Sequence, residues 1–318
     1  MKFYLAPLEG VTGYIYRNAF HTYFGDVDKY FIPFISPTKD LTFTSREWNE
    51  IIPEHNQGMY VVPQILTNNT IHFIEISKQL EQMGHQEVNL NVGCPSRTVV
   101  TKGKGAGFLA HPDQLHEFLD TIFSSLNMKI SVKTRIGVES SDEFMDIMKI
   151  YNEYPMEELI VHPRIQKDFY KNHPDLDVFR EAVKESNLSI CYNGDLFKKS
   201  DYDQFIQQFP MIDSVMLGRG IIANPGLIGE MKGKAVIDIA TIRKFHDDVL
   251  HGYQSILSGD KNVLFKMKEF WFYLIHMFEN HERYAKKLRK VQQFSDYMCI
   301  VDEIFGCLKI GEDVGFSV

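Results

Sequence analysis

Eight short apolar runs, separated by amphipathic stretches, constrain the fold of this 318-residue chain more than any other feature. The runs are rich in β-branched and aromatic residues and start at Phe3, Tyr30, Met59, Glu87, Ile130, Glu158, Ser189 and Ser214. Between them, apolar residues recur at helical spacing, for example at Leu115, Phe118, Leu119 and Ile122. Strands that alternate with helices pair in parallel, so eight such units predict an α/β fold, a (β/α)8 TIM barrel. A doubly wound open sheet is the alternative.

From Thr241 onward the apolar residues follow helical spacing alone, which predicts three or four helices in a bundle. We therefore predict two domains, a catalytic barrel over residues 1–235 and a helical domain over residues 236–318. No apolar run approaches the roughly 18 residues that span a membrane, and the N-terminus does not resemble a secretion signal. These features predict a cytoplasmic protein that binds no membrane.

The four cysteines lack the spacing typical of zinc sites and disulfide frameworks, so we expect no metal and a reducing compartment. Cys94 lies between glycine and proline after the fourth predicted strand, where a rigid turn offers its thiol little apolar packing. Cys191 lies within a strand, and Cys299 and Cys307 follow helical patterns. We expect these three to be buried in the core and Cys94 to face a site.

Polar residues end most of the predicted strands, and in TIM barrels the chemistry gathers at these ends. Each residue alone has an ordinary explanation as a turn or a solvated side chain. Their convergence on one rim indicates a site. In chain order these residues and their neighbours are Pro7, Leu8, Gln64, Asn91, Cys94, Lys133, Arg135, His162, Asn193, Asp195, Gly218 and Arg219.

The glycines after the last strand allow two interpretations. Gly218, Gly220 and Ala223, followed by Asp238, match a dinucleotide-binding fingerprint. That fingerprint opens a βαβ unit, whereas here only helices follow. Loops after strands 7 and 8 of TIM barrels commonly hold phosphate through backbone N–H groups, and Arg219 adds positive charge. We therefore favour a phosphate site, with two ordinary tight turns as the alternative.

Lysine chemistry and charge distribution narrow the function further. Lys133 can form a Schiff base or hold an electron-rich ring with its ammonium group, and the sequence does not separate these roles. The chain has a net charge of −8, yet basic residues collect after strands 4 and 6 and in the helical region. A basic working surface on an acidic protein suits a polyanionic substrate, although a solvated helix face is the alternative for the last group. These residues are Arg97, Lys102, Lys104, Arg164, Lys167, Lys171, Arg283, Lys286, Lys287, Arg289 and Lys290.

In order and spacing, these motifs resemble the tRNA-dihydrouridine synthases over most of the chain. The matching segments are residues 6–12 with Arg17, then 91–95, 104–107, 132–135, 161–164, 193–195 and 218–220. The Asn-x-Gly-Cys-Pro element, followed by Lys-x-Arg and a strand-end histidine, is specific to that family, whereas the glycine turns are not. The resemblance implies an FMN-bearing barrel and a helical tRNA-binding domain, which together reduce the C5–C6 bond of selected uridines with NADPH.

The resemblance also implies roles for individual residues. The flavin ring contacts are Pro7, Leu8, Gln64, Lys133 and His162. The contacts around the ribityl phosphate are Asn193, Asp195, Gly218 and Arg219. Cys94 is the proton donor, and the substrate contacts are Asn91, Arg135, Arg164, Tyr170, Arg97, Lys102, Lys286, Lys287 and Lys290. Leu8 and Pro163 depart from the family, which usually has methionine and glycine there; the first change conserves volume, and the second affects the loop that carries Arg164.

Three other functions fit parts of the pattern. A flavin dehydrogenase of a small pyrimidine such as dihydroorotate would share the barrel, but it would not need the helical region. A barrel lyase would use Lys133 as a Schiff-base residue without flavin. A non-catalytic RNA-binding protein would bind tRNA without a redox cofactor. We expect the free protein to be a monomer.

Overall fold

The computed structural model describes residues 1–316 and contains a closed barrel of eight parallel strands in sequential order. Where the first and last strands meet, the N–H of Lys2 donates to the carbonyl of Asp213. The TIM-barrel prediction is confirmed, and the open sheet is excluded. The strands are β1 Lys2–Leu5, β2 Lys29–Ile35, β3 Val61–Ile65, β4 Glu87–Val92, β5 Lys129–Arg135, β6 Leu159–His162, β7 Ile190–Tyr192 and β8 Ser214–Leu217.

Helices follow the strands as the apolar periodicity predicts. In the helix Pro112–Ser125, the four apolar residues that indicated a helical face are all buried. The barrel helices are α1 Tyr14–Phe24, α2 Ser45–Ile51, α3 Thr70–Gln82, α4 Arg97–Val100, α5 Pro112–Ser125, α6 Phe144–Tyr151, α7 Leu176–Glu185, α8 Lys199–Gln208, α9 Arg219–Ala223 and α10 Leu227–Met231. Short 3-10 helices cover Pro53–His55, Gly105–Ala110, Ser141–Glu143, Gln166–Asp168 and Ile275–Met277.

Four helices lie between residues 239 and 307 of the described chain, where three or four were expected: α11 Ile239–Ile256, α12 Asp260–Leu274, α13 Glu282–Lys290 and α14 Phe294–Cys307. Buried polar groups join three of them. His246 Nε2 lies 2.6 Å from the hydroxyl of Tyr297, which also accepts a hydrogen bond from the indole N–H of Trp271 at 3.0 Å. These bonds satisfy polar groups inside an otherwise aromatic core.

The chain forms two compact units. The first comprises residues 1–7, 29–194 and 209–216 and holds nearly all of the barrel strands. The second comprises residues 8–28 and 195–208 together with the chain from residue 217 onward, so it includes α1 and α8 to α14. The boundary at residue 235 stays a prediction.

Of the three cysteines predicted to be buried, the structure buries one. Cys191 is buried, and Cys94 is partly exposed. Cys299 and Cys307 are exposed, so their placement in the core was wrong. The buried face of α14 is formed by Tyr297, Ile300, Val301 and Ile304, and the two thiols lie on other faces of that helix.

Candidate active site

Strand register in the first unit brings the predicted polar rim together. Asn91 on β4 pairs with Lys133 on β5, and Arg135 pairs with His162 on β6. Gln64 on β3 pairs with Asn89, two residues before Asn91. Because all of these strands are parallel, their carboxyl ends meet at one end of the barrel, which is where TIM barrels carry their active sites.

Residues Gly93, Cys94 and Pro95 form the loop after β4, and its backbone is held from several sides. The side-chain Oδ1 of Asn91 accepts hydrogen bonds from the N–H groups of Gly93 at 3.0 Å and Cys94 at 2.9 Å. Arg135 Nε donates to the carbonyl of Gly93 at 3.1 Å, and Gln166 Nε2 donates to that of Pro95 at 3.2 Å. These bonds fix the backbone that carries the Cys94 side chain at the strand end.

A glycine allows a second loop to approach Cys94. The N–H of Ala106 donates to the Cys94 carbonyl at 3.0 Å. Gly105 has φ +55°, and a Cβ there would lie 2.7 Å from the same carbonyl oxygen. Any other residue at this position would be strained and would clash with the backbone. The segment 104–107 therefore helps to hold the loop that carries Cys94.

Lys133 is a desolvated cation at the rim. Burial, together with the positive charge of Arg135, lowers its pKa to about 8. Across residues 1–316, no carboxylate forms a salt bridge with it. At neutral pH most of the population therefore carries an ammonium group without a paired carboxylate.

His162 is neutral and has a fixed tautomer. Its Nε2 lies 3.0 Å from Nη1 of Arg164, and because a guanidinium only donates, this nitrogen accepts. The proton therefore sits on Nδ1, which donates to Oδ1 of Asn193 at 3.3 Å. Burial, followed by the charges of Arg135, Lys133 and Arg164, lowers the pKa of His162 well below its usual value. The predicted flavin contact of His162 stays a prediction, and both ring nitrogens already have protein partners.

Arg135 and Arg164, predicted to contact the substrate, lie in the interior, and each is 2% exposed. Besides Gly93, Arg135 donates to the carbonyls of Ile165 at 2.7 Å and Phe169 at 2.6 Å. Arg164 donates to the carbonyl of Asn172 and to His162. Both guanidinium groups thus fix the backbone around the loop after β6.

Tyr170 lies on that same loop and is 47% exposed. The guanidinium carbon of Arg135 lies 5.5 Å from the centroid of its ring, which is within the range of a cation–π contact. The preceding Phe169 adopts φ +51°, a conformation that non-glycine residues rarely adopt. The structure therefore presents an aromatic ring to solvent on a backbone held by Arg135, and the stacking role of Tyr170 stays a prediction.

The other cations are placed as follows. Arg97 and Lys102 of the first unit are exposed. In the second unit, Lys286 and Lys290 on α13 are exposed, whereas Lys287 is partly buried and pairs with Glu303 at 2.6 Å. Four of these five cations thus meet the requirement for contact with an external polyanion.

In the second unit, Arg219 begins α9 and pairs with Asp195 at 2.8 Å. Its guanidinium carbon lies 5.0 Å from the ring centroid of Phe197 and 5.4 Å from that of Phe316. A Cβ on Gly220 would lie 2.2 Å from the carbonyl oxygen of Leu196, so this glycine is required by close packing. Two residues predicted for the phosphate site are thus in direct contact.

The remaining predicted residues lie in loops. Pro7 and Leu8 are both partly exposed, and they belong to the first and second unit respectively. The N–H of Leu8 donates to the hydroxyl of Thr12 at 2.8 Å. Gly218 is partly exposed at the N-cap of α9.

Sequence reasoning missed a set of polar residues inside the barrel. Glu87 and Asn89 precede Asn91 at alternate positions of β4, and Ser131 lies opposite on β5; all three are fully buried. The alternation of polar residues at positions 87, 89 and 91 in a strand was the signal that could have identified them, because alternate side chains point to the same face.

Comparison with known proteins places the chain in a family. The model of the family described as Dihydrouridine synthase matches residues 4–303. A probable tRNA-dihydrouridine synthase of Staphylococcus aureus (strain MRSA252) is 27% identical over 95% of this chain and 92% of its own. A second, from Staphylococcus epidermidis (strain ATCC 12228 / FDA PCI 1200), is 30% identical over 70% of this chain and 69% of its own.

Solved structures agree on the fold. Morphinone reductase in complex with tetrahydroNAD superposes with a TM-score of 0.52 at 12% identity, covering 76% of this chain and 89% of its own. The old yellow enzyme homologue from Zymomonas mobilis superposes with a TM-score of 0.53 at 10% identity, over 77% of this chain and 92% of its own. The resemblance noted in the sequence is thereby confirmed: the chain belongs to the dihydrouridine synthase family, oxidoreductases that use FMN and NAD(P)H and act on tRNA.

Proposed function

We propose that this chain reduces the C5–C6 bond of tRNA uridines at the rim of its barrel and that Cys94 protonates C5. The observation that carries the proposal is the fixed Gly93–Pro95 loop, which holds a partly exposed thiol at the end of β4. A positioned acid can deliver a proton to the carbanion or enolate that develops when hydride reaches C6.

FMN fits the residues present in the first unit. A desolvated ammonium without a paired carboxylate, such as Lys133, is suited to the electron-rich side of a flavin ring. FMN supplies the hydride when it is bound. We propose that Pro7, Leu8, Gln64, Lys133 and His162 hold its ring, and that Asn193, Asp195, Gly218 and Arg219 hold its phosphate. In that arrangement the charge of Lys133 stabilises negative charge on the reduced ring.

We propose that exposed cations and Tyr170 hold the RNA. Arg97, Lys102, Lys286 and Lys290 supply positive charge for phosphate contacts, with Lys287 after it leaves Glu303. A uridine must leave its stack to reach a barrel mouth, so the target is expected in a flexible loop. Asn91 contacts the uracil, and Arg135 and Arg164 act by holding the surrounding loops. We also propose that the protein works as a cytoplasmic monomer with a barrel domain over residues 1–235 and a helical domain over residues 236–318.

Replacing Cys94 tests the proposal by separating two half-reactions. In Cys94→Ala, NADPH should still reduce the flavin, because this step needs no thiol, but reoxidation by tRNA should slow by roughly 10² to 10⁴. In Cys94→Ser, the rate of reoxidation by tRNA should lie between the rates of Cys94→Ala and the parent. Stopped-flow absorbance with tRNA from a strain that lacks dihydrouridine measures both steps.

Cys191→Ala is the matched control, because this thiol is buried within β7. It should lower stability more than it changes either half-reaction. Parent-like reoxidation in Cys94→Ala would show that another group supplies the proton.

A further inference from the structure

An unbroken chain of hydrogen bonds runs through the barrel interior to the loop that carries Cys94. It consists of five side chains that are at most 7% exposed: Glu87, Ser131, Asn89, Gln64 and Asn91. Its links are Ser131 Oγ to Glu87 Oε1 at 2.7 Å, Asn89 Nδ2 to Ser131 Oγ at 2.9 Å, Gln64 Nε2 to Asn89 Oδ1 at 2.7 Å and Asn91 Nδ2 to Gln64 Oε1 at 2.6 Å.

Both ends of this chain fix its direction. At one end, Glu87 receives Lys29 on its other oxygen at 2.8 Å, so the carboxylate acts as an acceptor and Ser131 donates to it. At the other end, the backbone N–H groups of Gly93 and Cys94 can only donate, so Asn91 must turn its oxygen toward them.

The carboxylate at one end and the backbone N–H groups at the other require the same donor and acceptor at every hydrogen bond between them. Starting from Asn91, whose Nδ2 faces Gln64, each amide must accept on one side and donate on the other. At Ser131, the hydroxyl oxygen accepts from Asn89, so the hydroxyl proton is free to point at Glu87. No link places two donors or two acceptors together, so the amide orientations follow from a carboxylate on one side and a backbone turn on the other.

We propose that Glu87, Ser131 and Asn89 are positioning residues, which act through Gln64 and Asn91 to fix the Cys94 loop and the group that Asn91 presents to the substrate. The chain of bonds uses both lone pairs of Asn91 Oδ1 and one of its N–H groups. Asn91 therefore offers a bound base a hydrogen-bond donor and not an acceptor, which suits a carbonyl oxygen of uracil. The identity of the bound base as uracil rests on the proposed function, whereas the positioning of Asn91 by the buried chain does not depend on it.

Ser131→Ala breaks the chain in the middle, and Ser214→Ala is the matched control. Ser214 is also a fully buried barrel serine whose hydroxyl donates to a buried carboxylate, Glu158, at 2.8 Å, but this bond lies outside the chain. Both variants lose the hydrogen bond to a buried carboxylate, and Ser131→Ala also loses the bond from Asn89, so both should unfold at a lower temperature and Ser131→Ala at the lower of the two. Ser131→Thr restores the hydroxyl.

The first measurement is solvent exchange of the Asn91 side-chain amide protons by ¹H–¹⁵N NMR, assigned by the signals missing from Asn91→Ala. Exchange should quicken about tenfold in Ser131→Ala, which is the loss expected for one net hydrogen bond, and should stay within twofold of the parent in Ser214→Ala. Unchanged exchange in Ser131→Ala, or an equal change in both variants, would overturn the inference.

The second measurement is the rate at which the reduced enzyme reacts with tRNA. Ser131→Ala should slow it about tenfold, Ser131→Thr should recover much of the loss, and Ser214→Ala should react as the parent does. A parent enzyme that reduces no uridine would overturn the proposed function, and the exchange measurement would still decide whether the chain positions Asn91.

Discussion

Lys133→Met is expected to stabilise the protein without cofactor while weakening its hold on FMN. A pKa lowered from 10.5 to about 8 corresponds to about 3 kcal/mol by which the interior disfavours the charged form. Because the side chain is partly exposed, we discount this figure for solvent screening and expect about 2 kcal/mol at pH 7. Methionine has similar length and carries no charge, so it removes this cost.

The sign of the pH dependence follows from the direction of the shift. Below pH 8 the lysine is charged in both the folded and the unfolded protein, so the full cost is present. As pH rises from about 8 to 10.5, the folded protein releases its proton first and the cost disappears. The stability advantage of Lys133→Met should therefore shrink over that interval. Urea unfolding at pH 7 and at pH 10 measures it.

Lys133→Met should weaken FMN binding, although it stabilises the protein without cofactor. If the ammonium holds the ring, the Kd for FMN is flat below pH 8 and rises toward tenfold per pH unit above it, while the variant is weak and independent of pH. Lys129→Met, at the exposed start of the same strand, is the control. A Kd that falls above pH 8, or a variant that binds FMN as the parent does, would refute the role of the ammonium. A Schiff-base lysine requires the neutral amine and therefore predicts activity that rises through pH 8.

Two further predictions concern the second unit. Arg219→Ala should weaken FMN binding about 10- to 100-fold, the usual value of a charged hydrogen bond, while exposed Arg283→Ala should leave it unchanged; equal losses in fluorescence titrations would show that Arg219 does not hold the phosphate. Reversal of charge at Lys286, Lys287 and Lys290 to glutamate should weaken tRNA binding and flatten the slope of log affinity against log salt, with NADPH oxidation by a non-RNA acceptor retained. Unaltered tRNA affinity would show that RNA binds elsewhere, and the loops that carry Arg97 and Lys102 would be the next candidates.

The fold could be predicted from the sequence because apolar spacing reports which faces are buried. All eight strands lie where that spacing placed them, and the helical region from residue 241 onward contains four helices, within the three or four that the spacing predicted. The same reasoning failed for Cys299 and Cys307, because α14 carries apolar residues around much of its circumference. Periodicity alone does not show which of several apolar faces a neighbouring helix covers.

The site could be predicted only as a set of residue types at strand ends. Arg135 and Arg164 have the charge of phosphate-binding residues, yet the structure uses their donors on backbone carbonyls and on His162. Sequence position places a residue at the rim, but the direction of its side chain depends on loops that are distant in the chain. The loop after β6 orients the side chains of both arginines, because its carbonyl groups accept their hydrogen bonds. These carbonyls belong to Ile165, Phe169 and Asn172.

The buried chain from Glu87 to Asn91 shows why such polar residues cannot be judged one at a time. Reversing a single amide, for example that of Gln64, would set donor against donor on one side and acceptor against acceptor on the other. Two buried bonds would be lost, and each unsatisfied group costs about 1–3 kcal/mol. Reversing every amide instead would bring the nitrogen of Asn91 against the backbone N–H groups of Gly93 and Cys94. The orientation at the active-site end is therefore coupled to the charge at the opposite end of β4, and a substitution at either end must be accommodated along the whole chain of bonds.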